Sequence, residues 1–139
     1  MACAAPGLGS LAAFLSSCAS APVYRGEMKD GAIRVPALLF ATGDIQIIRA
    51  DGSPDDIALV KGKNAGFEAF ILRCTHADNP LSYRGTEFTC SLHGSRFDTG
   101  GNVTHGPATL PLRRLQATAE GDAVVVHLNP GEQPSSRPD

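Results

Sequence analysis

Two short elements constrain this chain more than anything else in it: Cys74-Thr75-His76 and Cys90-Ser91-Leu92-His93. They read C-x-H, thirteen residues, then C-x-x-H. Each gives one thiol and one imidazole, so two loops must meet at one place and be held there. Matched pairs suit two iron ions with chemically distinct ends, thiolates on one, imidazoles on the other and sulfide between. The same side chains are also an ordinary zinc set, although structural zinc more often uses C-x2-C and H-x3–5-H pairs. In an oxidising compartment a Cys74–Cys90 disulfide is a third option. It would leave the spacing of His76 and His93 without a purpose.

After His93 the chain runs Gly94-Ser95-Arg96-Phe97-Asp98, then Gly100-Gly101, Gly106-Pro107-Ala108 and Leu110-Pro111-Leu112. With these flanks the later part of the chain resembles the Rieske iron–sulfur family. That family's pattern is C-x-H, then C-x-x-H-G-S-x-(Phe or Tyr)-Asp, then Gly-Pro-Ala. The resemblance implies one [2Fe–2S] cluster, with Cys74 and Cys90 on the inner iron and His76 and His93 on the outer, near the surface. It also implies that the Ser95 hydroxyl donates to a bridging sulfide, which stabilises the reduced, more negative cluster. On its own the serine reads as a turn cap. Gly94 and Gly100-Gly101 supply tight bends, and Gly106-Pro107-Ala108 matches a loop that covers the cluster. Neutral imidazoles leave the cluster less negative than four thiolates, so such centres lie between about −150 and +300 mV rather than near −400 mV.

Two departures bear on the partner. Quinol-oxidising family members of cytochrome bc complexes usually carry one more cysteine in each ligand loop, joined as a disulfide. The matching positions here are Asn79 and Leu92. Those members also usually have a tyrosine where this chain has Phe97. In both respects the second motif is similar to ferredoxins of aromatic-ring dioxygenases. The short spacer between the motifs instead resembles short exported bacterial Rieske proteins of the quinol-oxidoreductase type.

No charged residue occurs before Arg25. The small, apolar run from Ala2 ends in Leu15-Ser16-Ser17-Cys18, a lipobox in the position expected of one. Residues 1–22 are therefore expected to be an export signal of lipoprotein type. A lipid on Cys18 would tether the protein to the periplasmic side of the bacterial cytoplasmic membrane. A positive n-region is missing, which points to a true start, with a twin-arginine pair, upstream of Met1. A low-complexity leader or a membrane anchor are the alternatives. Residues 130–139 are polar and proline-rich and are expected to be disordered.

Residues 23–129 read as one all-β domain. Ile45–Ile48, Asp56–Val60, Phe67–Arg73, Glu87–Thr89, Leu115–Ala119 and Ala123–Leu128 are strand-like and separated by Gly, Pro, Asn and Asp turns. No helical stripe interrupts them. Small stacked antiparallel sheets with the cluster at one tip are what the resemblance adds. His105, His127, Tyr83 and the Arg113-Arg114 pair read as ordinary loop, strand and surface residues. A net charge of −2 with no basic tract excludes nucleic acid as a partner.

The expectation is an electron-transfer subunit of a membrane-associated oxidoreductase, with no turnover by the domain alone. Its partners would be redox proteins, a cytochrome or a catalytic subunit, with quinol as a further donor. A Rieske ferredoxin serving an oxygenase is the alternative within the family. A zinc-stabilised binding module is the alternative outside it.

Overall fold

A computed structural model describes residues 21–128. The expected lipobox at Cys18 and the tail from 130 to 139 lie outside the described residues, as does all of the expected leader except Ala21 and Pro22. Among the described residues the elements are β1 (Val23–Lys29), β2 (Ala32–Pro36), a 3₁₀ turn (Ala37–Ala41), β3 (Ile45–Asp51), β4 (Ile57–Lys61) and β5 (Phe67–Ile71). Then follow β6 (Ser82–Tyr83), β7 (Glu87–Thr89), β8 (Arg96–Asp98), β9 (Val103–His105), β10 (Arg114–Glu120) and β11 (Ala123–His127). No described helix is long and apolar enough to cross a membrane.

The all-β expectation holds, and the arrangement is more specific than stacked sheets. Seven strands close into a barrel in the order β1-β2-β11-β10-β5-β4-β3. The closing pair, β1 with β3, is parallel, with Val23 opposite Ile47 and Glu27 opposite Asp51. The other barrel pairs are antiparallel. A separate four-stranded sheet, β6-β7-β8-β9, carries the second ligand motif between β7 and β8.

Side-chain alternation explains how the two parts join. One core holds Ile33, Val35, Ile48, Ile57, Leu59, Ala69, Val124 and Val126. A second holds Ile47, Ala58, Val60 and Phe70, together with Phe88, Phe97, Leu112 and both Cys74 and Cys90. Neighbouring residues of β3, β4 and β5 thus point into different cores, as a two-residue period requires. This stretch of barrel wall is buried on both faces, which is why β4 reads as an unbroken apolar run, Ile57-Ala58-Leu59-Val60.

The first two strands were not legible in sequence. β1, Val-Tyr-Arg-Gly-Glu-Met-Lys, has a single buried position, Gly26. A Cβ there would lie 2.7 Å from Ile33 Cγ2. The glycine is kept small by close approach to β2, not by any turn.

Candidate metal centre

The strand β5 runs into the first ligand loop, and β7 into the second. Each loop folds back on its own cysteine in the same way. The Cys74 N–H donates to the Asn79 carbonyl (2.8 Å), and the Asp78 N–H donates to the Cys74 carbonyl (3.0 Å). In the second loop the Cys90 N–H donates to the Ser95 carbonyl (2.9 Å), and the Gly94 N–H donates to the Cys90 carbonyl (3.0 Å). Both loops turn at the fourth residue after the cysteine, through left-handed backbone: Asp78 at φ 51° and Gly94 at φ 82°. Glycine takes that conformation freely, and aspartate is among the few other residues that do so at modest cost.

This shared bonding sorts the four candidate ligands by depth. Cys74 and Cys90 are buried, and both are free thiols, so no disulfide joins them. His76 and His93 are exposed beyond them, their ring centroids 5.1 Å apart and nearly perpendicular. Burial is the largest influence on the Cys90 thiol and pushes it up. The His93 and Leu92 backbone N–H groups and the Cys74 thiol together outweigh it, and the thiol sits below its ordinary value. A thiolate is the form a metal takes.

A third segment ties the loops together. The Ala108 N–H donates to the Ser95 hydroxyl oxygen (3.0 Å), and the Thr75 hydroxyl donates to the Leu110 carbonyl (2.7 Å). Residues Ala108–Leu110 therefore bridge both ligand loops. Ser95 is wholly buried, and as an acceptor from Ala108 it keeps its own proton for another partner. Phe97 is equally buried and pairs with Phe88 across β7 and β8, in the core that contains both cysteines.

Several residues near the loops gave no sequence signal. Thr75 sits inside the motif, but its bond to Leu110 joins residues 35 apart in sequence. Arg73 and Asp78 fasten the first loop. Arg114 caps the base of the small sheet: it pairs with Glu68, donates to the Gly100 carbonyl and lies 5.0 Å over the Phe70 ring. It is a strut rather than part of a free basic patch. His105 is exposed on β9 and His127 half-buried at the end of β11, both outside the ligand loops.

The Rieske [2Fe-2S] domain family matches residues 38–117, more than half of the chain. This chain belongs to the Rieske family.

Relatives of this Rieske chain include cytochrome b6-f complex iron-sulfur subunit 1 of Synechocystis sp. strain PCC 6803. It is 34% identical over 82 residues, which is 58% of this chain and 40% of the relative. The cytochrome b6-f complex iron-sulfur subunit of Prochlorococcus marinus strain AS9601 is 33% identical over 87 residues, 60% of this chain and 49% of the relative. The chain thus spans half or less of the length of the curated relatives it matches. In fold it is similar to a structure of the complex of reduced oxygenase and oxidized ferredoxin in carbazole 1,9a-dioxygenase. The TM-score is 0.53 at 22% identity, over 71% of this chain and 94% of that one.

A Rieske domain carries one [2Fe–2S] cluster, which gives and takes single electrons. The donor set here fits it, with two sulfurs inside and two ring nitrogens outside. The zinc reading that the ligand set alone left open falls with the family assignment.

Proposed function

We propose that this Rieske protein is the electron-transfer subunit of a membrane-associated oxidoreductase of the quinol-to-cytochrome type. Cys74 and Cys90 hold the inner iron, His76 and His93 the outer, and Ser95 donates its proton to a cluster sulfur. The observation that carries this is the depth ordering, buried thiols behind exposed imidazoles on two loops of identical backbone bonding. It leaves the histidine edge open to a partner while the cysteine end stays dry.

The surface around the histidines supports a protein partner. Leu92, one residue before His93, and Leu110, in the bridging segment, are about two-thirds exposed, at 63% and 64%. Apolar side chains beside a redox group give a docking protein contact area without charge to desolvate. A lipid on Cys18, on the periplasmic side of the membrane, is the proposed attachment.

Redox-titrated EPR on the purified protein tests the ligand assignment. Replacing any of Cys74, His76, Cys90 or His93 by Ala is expected to abolish the Rieske signal, since each is one of four protein ligands. A full-strength signal in His76→Ala would refute it. Mass spectrometry of protein from its native host tests the anchor, and an unmodified Met1 would rule it out.

The second reading, a Rieske ferredoxin for an oxygenase, draws on Phe97 in the tyrosine position and on Asn79 and Leu92 where a cysteine pair would stand. The two readings part on the reductant. A quinol-linked subunit is reduced in membranes supplied with quinol. A ferredoxin is reduced by a soluble flavoprotein with NADH and ignores quinol.

A further inference from the structure

The two ligand loops share their internal hydrogen bonds, but among the described residues only the first is fastened to the barrel by a charge. Arg73, immediately before Cys74, reaches in two directions. Its Nη1 donates to the Asp78 carbonyl (2.6 Å), at the left-handed turn of the first ligand loop. Its Nε donates to Asp55 Oδ1 (2.7 Å), and its Nη2 pairs with the same oxygen.

Asp55 is itself fixed. It lies in the turn between β3 and β4, where the Ser53 hydroxyl bonds to its backbone at both the N–H and the carbonyl. The next residue, Asp56, is held by the two-pronged grip of Arg49 and takes the Leu72 N–H on its carbonyl (2.9 Å). The barrel turn is thus held by bonds of its own, and Arg73 is the tie from that turn to the loop bearing His76. At the matching position before Cys90 stands Thr89, which cannot span such a distance.

We infer that Arg73 is a positioning residue for the first ligand loop, holding the Asp78 peptide, and through it the Cys74–His76 arc, at a set place against the second loop. This rests on the ligand assignment proposed above. The guanidinium suits the task because its flat fork serves the carboxylate and the carbonyl at once. The ammonium of lysine is a compact point charge and reaches one or the other.

Positioning and simple charge make opposite predictions. If Arg73 and Asp55 acted on the cluster only through their fields, Arg73→Gln would lower the midpoint potential and Asp55→Ala would raise it. If they hold the loop, both substitutions release the same tie, since alanine leaves no oxygen for the Arg73 Nε to donate to. Protein-film voltammetry and EPR are to be run on the wild type, Arg73→Gln, Asp55→Ala, the double variant and Arg73→Lys, with thermal unfolding of each. The expected result is a midpoint shift of the same sign and a broadened EPR line in both single variants. The double variant should shift no further than the larger single one, and Arg73→Lys should lie between Arg73→Gln and the wild type. Should Arg73→Gln fail to retain a cluster, Asp55→Ala and Arg73→Lys decide by the same criteria.

Shifts of opposite sign would overturn the inference in favour of charge. A lower melting temperature with unchanged potential and line shape would overturn it in favour of a purely structural tie. A wild-type protein with no Rieske signal would overturn the ligand assignment, and the inference with it.

Discussion

Ser95 and Phe97 are the two wholly buried side chains through which single substitutions reach the cluster most directly. Ser95→Ala removes a hydroxyl that accepts from the Ala108 N–H and, on the proposed assignment, donates to cluster sulfur. Leaving the buried N–H unpaired costs about 1–3 kcal/mol of stability. Losing the donor leaves charge on the reduced cluster uncompensated, so the midpoint is expected to fall by about 59 mV for each 1.4 kcal/mol lost. Voltammetry reads the fall, and an unchanged midpoint would place the hydroxyl elsewhere. Phe97→Tyr adds a hydroxyl in a core that holds both cysteines. If that hydroxyl reaches the Cys74 or Cys90 sulfur, the midpoint is expected to rise. A drop in melting temperature with no rise would show that the new hydroxyl is simply buried unpaired.

At the scale of elements, the turns divide into those that need only a conformation and those that also need space. Gly94 adopts φ 82°, and an added Cβ would meet nothing within 4 Å. Gly94→Ala is therefore expected to cost only the left-handed strain, about 1–2 kcal/mol. Gly101 adopts φ 79°, and its Cβ would lie 2.7 Å from Phe70 Cε1. Gly101→Ala adds overpacking to strain, for about 2–5 kcal/mol. Chemical denaturation of the cluster-loaded protein measures both, and equal costs would contradict the ring contact. The two glycines look alike in sequence. Asp78 shares the conformation of Gly94 as one of the few non-glycine residues that take it at modest cost. The loop bond to Cys74 and the bond from Arg73 hold it there.

For the whole molecule, the division into two cores has a measurable consequence. Ile33 is fully buried in the core that does not contain the cysteines. Ile33→Ala is expected to cost about 2–5 kcal/mol while leaving the midpoint and EPR line in place. A shifted midpoint would mean that the barrel wall transmits strain from one core to the other. The converse holds at the tip. Leu92→Gln with Leu110→Gln is expected to leave stability, midpoint and EPR unchanged and to slow electron exchange with a soluble c-type cytochrome. An unchanged second-order rate in stopped flow would remove the two leucines from the docking surface.

The spacing of Cys74, His76, Cys90 and His93, with Gly94-Ser95 behind them, was enough to name the family and the cluster, because ligand identity and loop length are local facts. The strands flanking the loops were legible for the same reason: Ile57–Val60 and Ala123–Val126 carry their burial in their composition. Closure of the barrel was not. β1 is exposed at five of its seven positions, and its strand hydrogen bonds are supplied by β2 and β3. Gly106-Pro107-Ala108 marked the covering segment, but neither its bonds to Ser95 and Thr75 nor the Arg73–Asp55 tie was legible, since they join residues 13 to 35 apart. Such bonds depend on where the chain returns in space. That is decided by two cores packing on opposite faces of one barrel wall, which no local stretch of sequence encodes.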